Sequence, residues 1–244
     1  MKQIYYTLLL GLILPLNGNS QQFETGIESG VGSFIMEELK EFNDVVTYTI
    51  PFNTKIVEDF PMYFFYRPYI YLKIKNISFG PIYTFQSTGS RISAKDYSGE
   101  YRFDMIINSH SPGIGSEVSL IKLHNIKFSV SSAVAVMFSN LRIKEYMEVL
   151  EDVMVKEAYD FRSVNMFFEP GVKFSYPVQF LNIGINAGYL FQIGNKSFYS
   201  VDNKEAGLIN PESGEPVKPG WSGFRAGLSV SFCFPHSQKV PVNY

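Results

Sequence analysis

From residue 126 to residue 138 the chain reads IKFSVSSAVAVMF, and its apolar side chains recur at every second position. Ile126, Phe128, Val130, Ser132, Val134, Val136 and Phe138 share one parity, while Lys127, Ser129, Ser131, Ala133, Ala135 and Met137 share the other. Only a strand turns successive side chains to opposite faces, so this period of two excludes a helix. The same period runs through 181–193, with Leu181, Ile183, Ile185, Ala187, Tyr189, Phe191 and Ile193 set against Asn182, Gly184, Asn186, Gly188, Leu190, Gln192 and Gly194. It returns in 224–234, with Phe224, Leu228, Val230, Phe232 and Phe234 against Arg225, Gly227, Ser229, Ser231 and Cys233. Segment 164–175 sets Val164, Met166, Phe168, Val172 and Phe174 against Asn165, Glu169, Lys173 and Ser175. In 101–107 the apolar side is Tyr101, Phe103, Met105 and Ile107, against Arg102, Asp104 and Ile106. Beyond Ser111-Pro112-Gly113 the apolar parity passes to Val118 and Leu120, as one inserted residue near Pro112 would make it do.

Eight strands are predicted, over 23–34, 61–74, 76–90, 99–121, 126–144, 158–176, 180–198 and 221–234. Their connections alternate between long (35–60, 91–98, 145–157, 199–220) and short (75, 122–125, 177–179). Such a series puts the long connections at one end and the tight turns at the other, in an all-β, antiparallel up-and-down barrel.

The composition of the two faces decides which one meets water. Gly, Ser, Ala and Asn dominate the polar face, and only 18% of the chain is charged, which is a poor solvated surface. Phe128 with Phe138, and Phe224 with Phe234, stand ten residues apart on the apolar face. Ten residues of strand rise about 33 Å. Tilted by about 40°, they climb about 25 Å, the height of a lipid-facing band between aromatic girdles. Phe128, Val134, Phe138, Ile185, Phe191, Phe224 and Phe234 are therefore expected to face lipid, with the polar parity inside.

Residues 1–20 have the layout of a secretory signal: Lys2, an apolar run from Ile4 to Leu16, then small residues Gly18 and Ser20 before Gln21. The run is too short to span a bilayer, and no cysteine at the cleavage point offers a lipid anchor. The expected domains are a signal peptide at 1–20, a barrel at 21–234 and a tail at 235–244.

These features resemble the small outer-membrane β-barrel proteins of Gram-negative bacteria, the eight-stranded OmpA- and OmpX-like group. The likeness spans residues 21–234. It rests on the signal segment, the alternation, the order of connections, the Gly-alternating start FETGIESGVGSF (23–34) and the Phe-ending last strand GFRAGLSVSFCF (223–234). In that group the terminal aromatic usually closes the chain and serves assembly; here ten residues, Pro235 to Tyr244, follow it. The resemblance implies an outer-membrane location, and without an appended soluble domain no peptidoglycan anchoring of the OmpA kind is expected.

An eight-stranded barrel has an interior that side chains can fill. The charges expected inside are Glu24, Glu28, Asp104, Glu117 and Glu169 with Arg67, Lys73, Arg102, Lys127, Lys173 and Arg225. Near balance of sign suits an ion-paired plug, because an unpaired buried charge is costly; a proton or ion path is the alternative. A lipid-modifying acylhydrolase would need a nucleophile, a base and an orienting acid. Only His110, beside Ser109 and Ser111 and followed by Glu117, offers such a set, since His124 falls in a tight turn and His236 in the tail. No phosphate loop, metal-ligand spacing or nucleophile elbow is present, so neither catalysis nor a cofactor is expected.

The balance of 21 Lys+Arg against 23 Asp+Glu, without a cationic run, argues against nucleic acid. The single cysteine leaves no disulfide framework. In 145–157, Tyr146, Val149, Leu150, Val153 and Met154 fall at helical spacing, as do Met36, Leu39 and Phe42 in the first connection. Short helices over the barrel mouth are expected there. The expected role is structural or interactive for a monomer, with 35–60, 145–157 and 199–220 as the surface for an envelope or secretion-complex partner.

Overall fold

The computed structural model describes residues 21–50, 54–97, 99–150 and 152–234. The elements are β1 (Gln21–Gly32), α1 (Glu37–Thr49), β2 (Lys55–Asp59), β3 (Tyr63–Ile74), β4 (Ile77–Asp96), β5 (Gly99–Leu123), β6 (Ile126–Val149), β7 (Asp152–Val178), β8 (Leu181–Ile193), β9 (Tyr199–Ser200) and β10 (Gly223–Phe234). Eight of them close a ring in the order β1-β3-β4-β5-β6-β7-β8-β10, every pair antiparallel, and β10 returns to β1 from Phe23↔Phe234 to Gly32↔Arg225. The chain is an eight-stranded up-and-down barrel, with β2 added beside the outer end of β4 and β9 beside β7. Closure leaves no free edge around the ring.

The tight turns follow from backbone chemistry. Lys75, His124 and Gln179 open two-residue hairpins at φ of 56°, 52° and 56°. Left-handed residues at this position give a turn whose twist matches that of the paired strands.

Two connections that looked long are strand. β4 runs on to Asp96 and β5 starts at Gly99, while β6 reaches Val149 and β7 starts at Asp152. The helix expected over 145–157 is therefore a β-hairpin, in which Met147 pairs with Val155 and Tyr146 with Lys156. An isolated helix of that length is marginal, whereas these residues complete a ladder that β5 already offers from Gly99 to Asp104. The first connection does form its helix, whose inner face buries Leu39 and Phe42.

Pro112 carries no bulge. The β4–β5 register is unbroken through Tyr83↔Pro112, and the shift lies at Ser119/Ile121, beside the turn. One parity holds from Tyr101 to Glu117, with the odd residues inside throughout. Tyr101, Phe103, Met105 and Ile107 are buried within the molecule, and Arg102 and Asp104 point outward, the reverse of expectation. The strand does not slip; its surroundings change along its length.

Inward glycines make room for large neighbours. A Cβ on Gly26 would lie 2.7 Å from the Tyr69 ring, and one on Gly115 would lie 2.3 Å from the Tyr71 hydroxyl. Residues 1–20, the tail 235–244 and the side chain of Phe234 lie outside the described residues.

Candidate functional site: lumen, mouth and outer belt

The lower half of the barrel is filled by ion pairs. Glu169 accepts from both nitrogens of the Arg67 fork, at 2.9 and 2.5 Å, and from Arg225 Nη1 at 3.0 Å. Arg67 also donates to Thr84 Oγ1 at 2.9 Å and lies 3.5 Å from Glu28, whose carboxylate accepts from Asn186 at 2.6 Å. The Arg225 guanidinium sits over the rings of Phe65 and Phe167, at 5.0 and 5.9 Å, and its other end donates to Gln86. Nearer the tight turns, Glu117 takes Lys127 at 2.5 Å and Lys173 at 3.2 Å, and Ser231 donates to Glu24 at 2.5 Å. Three carboxylates thus meet four cations, Glu28, Glu117 and Glu169 with Arg67, Lys127, Lys173 and Arg225, while Glu24 is held by the Ser231 hydroxyl. Lys73 also faces inward, half-buried.

Little space is left among these groups. The void between Glu28, Arg67, Glu169 and Lys173 is about 30 Å³, of the order of one water's share of liquid volume.

The upper half is filled by hydrocarbon. Met36 and Leu39 descend from the start of α1 onto Ile92, Phe103, Met105, Leu141 and Ile143, all buried. The connection after β8 adds Phe198, Leu208, Val217 and Trp221. Trp221 is fully buried, meets Phe34 edge-on at 5.1 Å and donates Nε1–H to Ser139 Oγ at 2.9 Å. Glu38 clasps this connection by accepting from the Lys218 backbone N–H at 2.6 Å and from its Nζ at 3.2 Å. Asn43, itself buried, bridges Asp59 and Ser90 at 3.2 Å each. Sequence reasoning missed this plug in the connection 194–222, where Leu208, Val217 and Trp221 have no regular spacing.

The outward surface changes character where the inside does. Across β4, β5, β6 and β7, one row of paired residues is Phe85, His110, Phe138 and Val164. Toward the tight turns the outward side chains are apolar: Val130, Val134 and Val136 on β6, Phe168, Val172 and Phe174 on β7. Around the ring the apolar surface continues with Ile185 and Phe191 on β8, Phe224 and Leu228 on β10, Ile27 on β1 and Ile70 on β3. Phe128 meets Phe174 at 4.9 Å, the rings tilted by 41°, near the lower limit, and Tyr189 meets Phe224 at 4.8 Å near the upper.

Past that row the outward residues of β4 to β7 are mostly polar. The next rows are Ser87, Asn108, Asn140 and Arg162; then Gly89, Ile106, Arg142 and Asp160; then Arg91, Asp104, Lys144 and Ala158. Arg91 pairs with Asp104 at 2.6 Å and Arg142 with Asp160 at 2.7 Å. Bonded to Arg142 above the apolar belt, Asp160 is held below the usual carboxylate range. Arg102 and Asp104, expected in the lumen, belong to this outer layer, 3.7 Å apart. An apolar belt, a polar lumen below and an apolar core above make a strand amphipathic in two opposite senses. This is the architecture of a small outer-membrane barrel.

The candidate hydrolase set is not assembled in it. Ser109 and Ser111 point inward and bond each other at 3.1 Å, whereas His110 points outward, 2.5 Å from the Tyr83 hydroxyl. Glu117 is inside and committed to two lysines. Neighbours in a strand cannot converge on one substrate from opposite faces. Cys233 faces inward, half-buried, and accepts from Asn182 at 3.0 Å.

No family model matches the chain, and no curated protein sequence matches it. Among solved structures, the barrel is similar to a major outer membrane protein from Thermus thermophilus, at 12% identity and a TM-score of 0.49, over 88% of this chain and 100% of that one. It is also similar to Ail, the attachment invasion locus protein of Yersinia pestis, at 10% identity and a TM-score of 0.39, over 89% and 100% of the two chains. The translocator domain of the autotransporter NalP from Neisseria meningitidis matches at 7% identity and a TM-score of 0.33, over 96% and 95%. The barrel itself is established by its own closed ladder, independently of these likenesses.

Proposed function

We propose that this chain is an integral outer-membrane barrel with a structural or interaction role, non-conducting and non-catalytic, exported by residues 1–20. What carries the reading is the row Phe85–His110–Phe138–Val164, below which the outward face is hydrocarbon and above which it is salt-bridged. A water-soluble barrel gains nothing by burying the Arg67–Glu169–Arg225 cluster while exposing Ile185, Phe224 and Leu228. The segment above that row, where β4 runs on to Asp96, β5 starts at Gly99, β6 reaches Val149 and β7 starts at Asp152, is the surface for an envelope or secretion-complex partner. From Asp152 to Tyr159, β7 is paired on the β6 side, and the chain on its other side joins it only at Asp160, whose carbonyl accepts from the Val201 N–H. An open edge of that kind accepts an added strand.

The test is the register, because a slip of one residue exchanges the two faces. Ile185 is 62% exposed and Asn186 is 9% exposed. In a Cys233→Ser background, a fluorophore on Ile185→Cys should be strongly quenched by a lipid-borne quencher, and one on Asn186→Cys should not. The reverse pattern, or recovery of a detergent-free soluble monomer, refutes membrane insertion. The folded protein should also migrate faster unheated than boiled. At the middle of the belt, Val134→Arg is expected to destabilise the barrel by about 2–4 kcal/mol in vesicles, as a cation at the bilayer midplane does. No change in the urea midpoint would move Val134 out of the hydrocarbon.

A further inference from the structure

At the tight-turn end the lumen opens into a pocket of about 290 Å³, and its lining carries one sign of charge. Lys73, Lys75, Lys122 and Lys127 line it with Asn125 and Asn182, and its described lining includes neither a carboxylate nor an arginine. The register brings these lysines together. Lys122 on β5 stands directly opposite Lys127 on β6, so the two share the lumen face at the rim. Lys73 shares its row with Ser78 and Glu117, the carboxylate that Lys127 reaches at 2.5 Å. The turn holding Lys75 is tied to the same place, because the Ser119 N–H donates to the Asn76 carbonyl at 2.8 Å. Glu117 is divided between Lys127 and Lys173, and Lys73, Lys75 and Lys122 form no ion pair among the described residues.

Like charges directly opposite each other destabilise an antiparallel pair. Lys122 and Lys127 are such a pair, and only Lys127 has a carboxylate. An anion held between the ammonium groups removes that repulsion. We infer that the tight-turn mouth is a blind pocket for a water-soluble phosphate compound carrying two or more negative charges. Lys73, Lys75 and Lys122 would supply its countercharge, and the two asparagines its neutral donors. Ammonium groups act as point charges and suit a compact phosphate approached from several sides, whereas planar two-point recognition of a carboxylate calls for arginine. Three unmatched cations also ask for more charge than one carboxylate brings. The pocket is several times one water's share of about 30 Å³ and close to the lower limit of small-molecule pockets, roughly 300–1,000 Å³. A lipid headgroup is on the wrong side of the wall: the ladder is paired down to Leu123↔Ile126 and Val178↔Leu181, with the apolar belt on its outer face. Nor can the ligand pass through, since the ion pairs above leave a void of only about 30 Å³. Short turns of outer-membrane barrels face the periplasm, so the ligand enters from there.

This inference rests on the membrane reading, and one experiment separates the two. The full chain would be folded into zwitterionic nanodiscs, which leave both ends of the barrel in water, and titrated calorimetrically with inorganic tripolyphosphate. Saturable binding is expected, with citrate, a polycarboxylate, binding at least tenfold more weakly. Lys73→Gln/Lys122→Gln should weaken tripolyphosphate binding at least tenfold, while Lys73→Arg/Lys122→Arg keeps it. Lys75→Gln, a change in an exposed turn, should weaken it severalfold even if the double Gln variant does not fold. Lys144→Gln, at the opposite end of the barrel, should leave it unchanged. Absence of saturation, equal affinity for citrate, or unaltered affinity in the Gln variants of the pocket overturns the inference. So does complete loss of binding when phosphatidylglycerol replaces part of the zwitterionic lipid, which would assign the lysines to a lipid headgroup. The Ile185 quenching measurement on the same nanodiscs reports the membrane reading by itself: quenching without tripolyphosphate binding removes only the pocket.

Discussion

Replacing Glu169 by alanine is expected to lower the unfolding free energy by about 3–5 kcal/mol, the cost of removing one partner from a buried ion pair. Glu169 is the shared acceptor of Arg67 and Arg225, and all three side chains are buried. Without it two guanidinium groups face each other in the lumen, with Glu28 at 3.5 Å from Arg67 as the nearest remaining carboxylate. Urea unfolding in vesicles, or the temperature at which migration in detergent gels changes, would report the loss. Glu169→Ala/Arg225→Met should recover part of it, because the second change removes the stranded charge and leaves an apolar side chain between Phe65 and Phe167. An unchanged midpoint in the single variant would mean that water reaches the cluster, and the lumen would have to be a hydrated passage.

Trp221→Ala should cost about 3–5 kcal/mol, the range for deleting a large aromatic from a packed core. The ring is fully buried, packs edge-on against Phe34, and its N–H is bonded to Ser139 on the barrel wall. The loss should be confined to the mouth. The segment from Phe34 into α1 and the connection from residue 194 to 222 are held to each other by the Phe34–Trp221 contact and by the Glu38–Lys218 clasp. The belt and the ion-paired lumen lie below them. Proteolysis should therefore open the outer connections of the variant while its heat-dependent migration persists. Cleavage no faster than in the parent protein would show that the clasp and α1 hold the mouth shut without the indole. Conductance in planar bilayers should remain at baseline, because the ion-paired half seals the lumen on its own.

The strands, their approximate limits and the polar lumen of the lower half were legible in the residues. Lys127, Glu169, Lys173 and Arg225 share a parity with small residues, and alternation assigns a face to each without knowledge of any partner. The helix after β1 was equally local, since Met36, Leu39 and Phe42 lie on one helical face. What alternation cannot say is which medium lies beyond a face. In 101–107 and 139–147 the same period of two appears with its chemistry reversed, because above the upper row of the belt the outside is water and the inside is the plug. Read along one strand, that reversal looks like an inserted residue. It is distinguishable only when Asp104, Lys144 and Arg91 are seen in register across three strands. The paired outer ends of β6 and β7 are a similar case, since an acidic, apolar-spaced stretch is stable as strand only where a neighbouring edge waits for it. The sequence by itself determined a barrel and the alternation that divides each strand into two faces. The tertiary structure decided where hydrocarbon ends and water begins along that barrel, which pairs neutralise the lumen, and which connections fold back to fill the mouth. Period is a property of one chain segment, whereas solvent, charge partners and packing are properties of segments brought together from far apart.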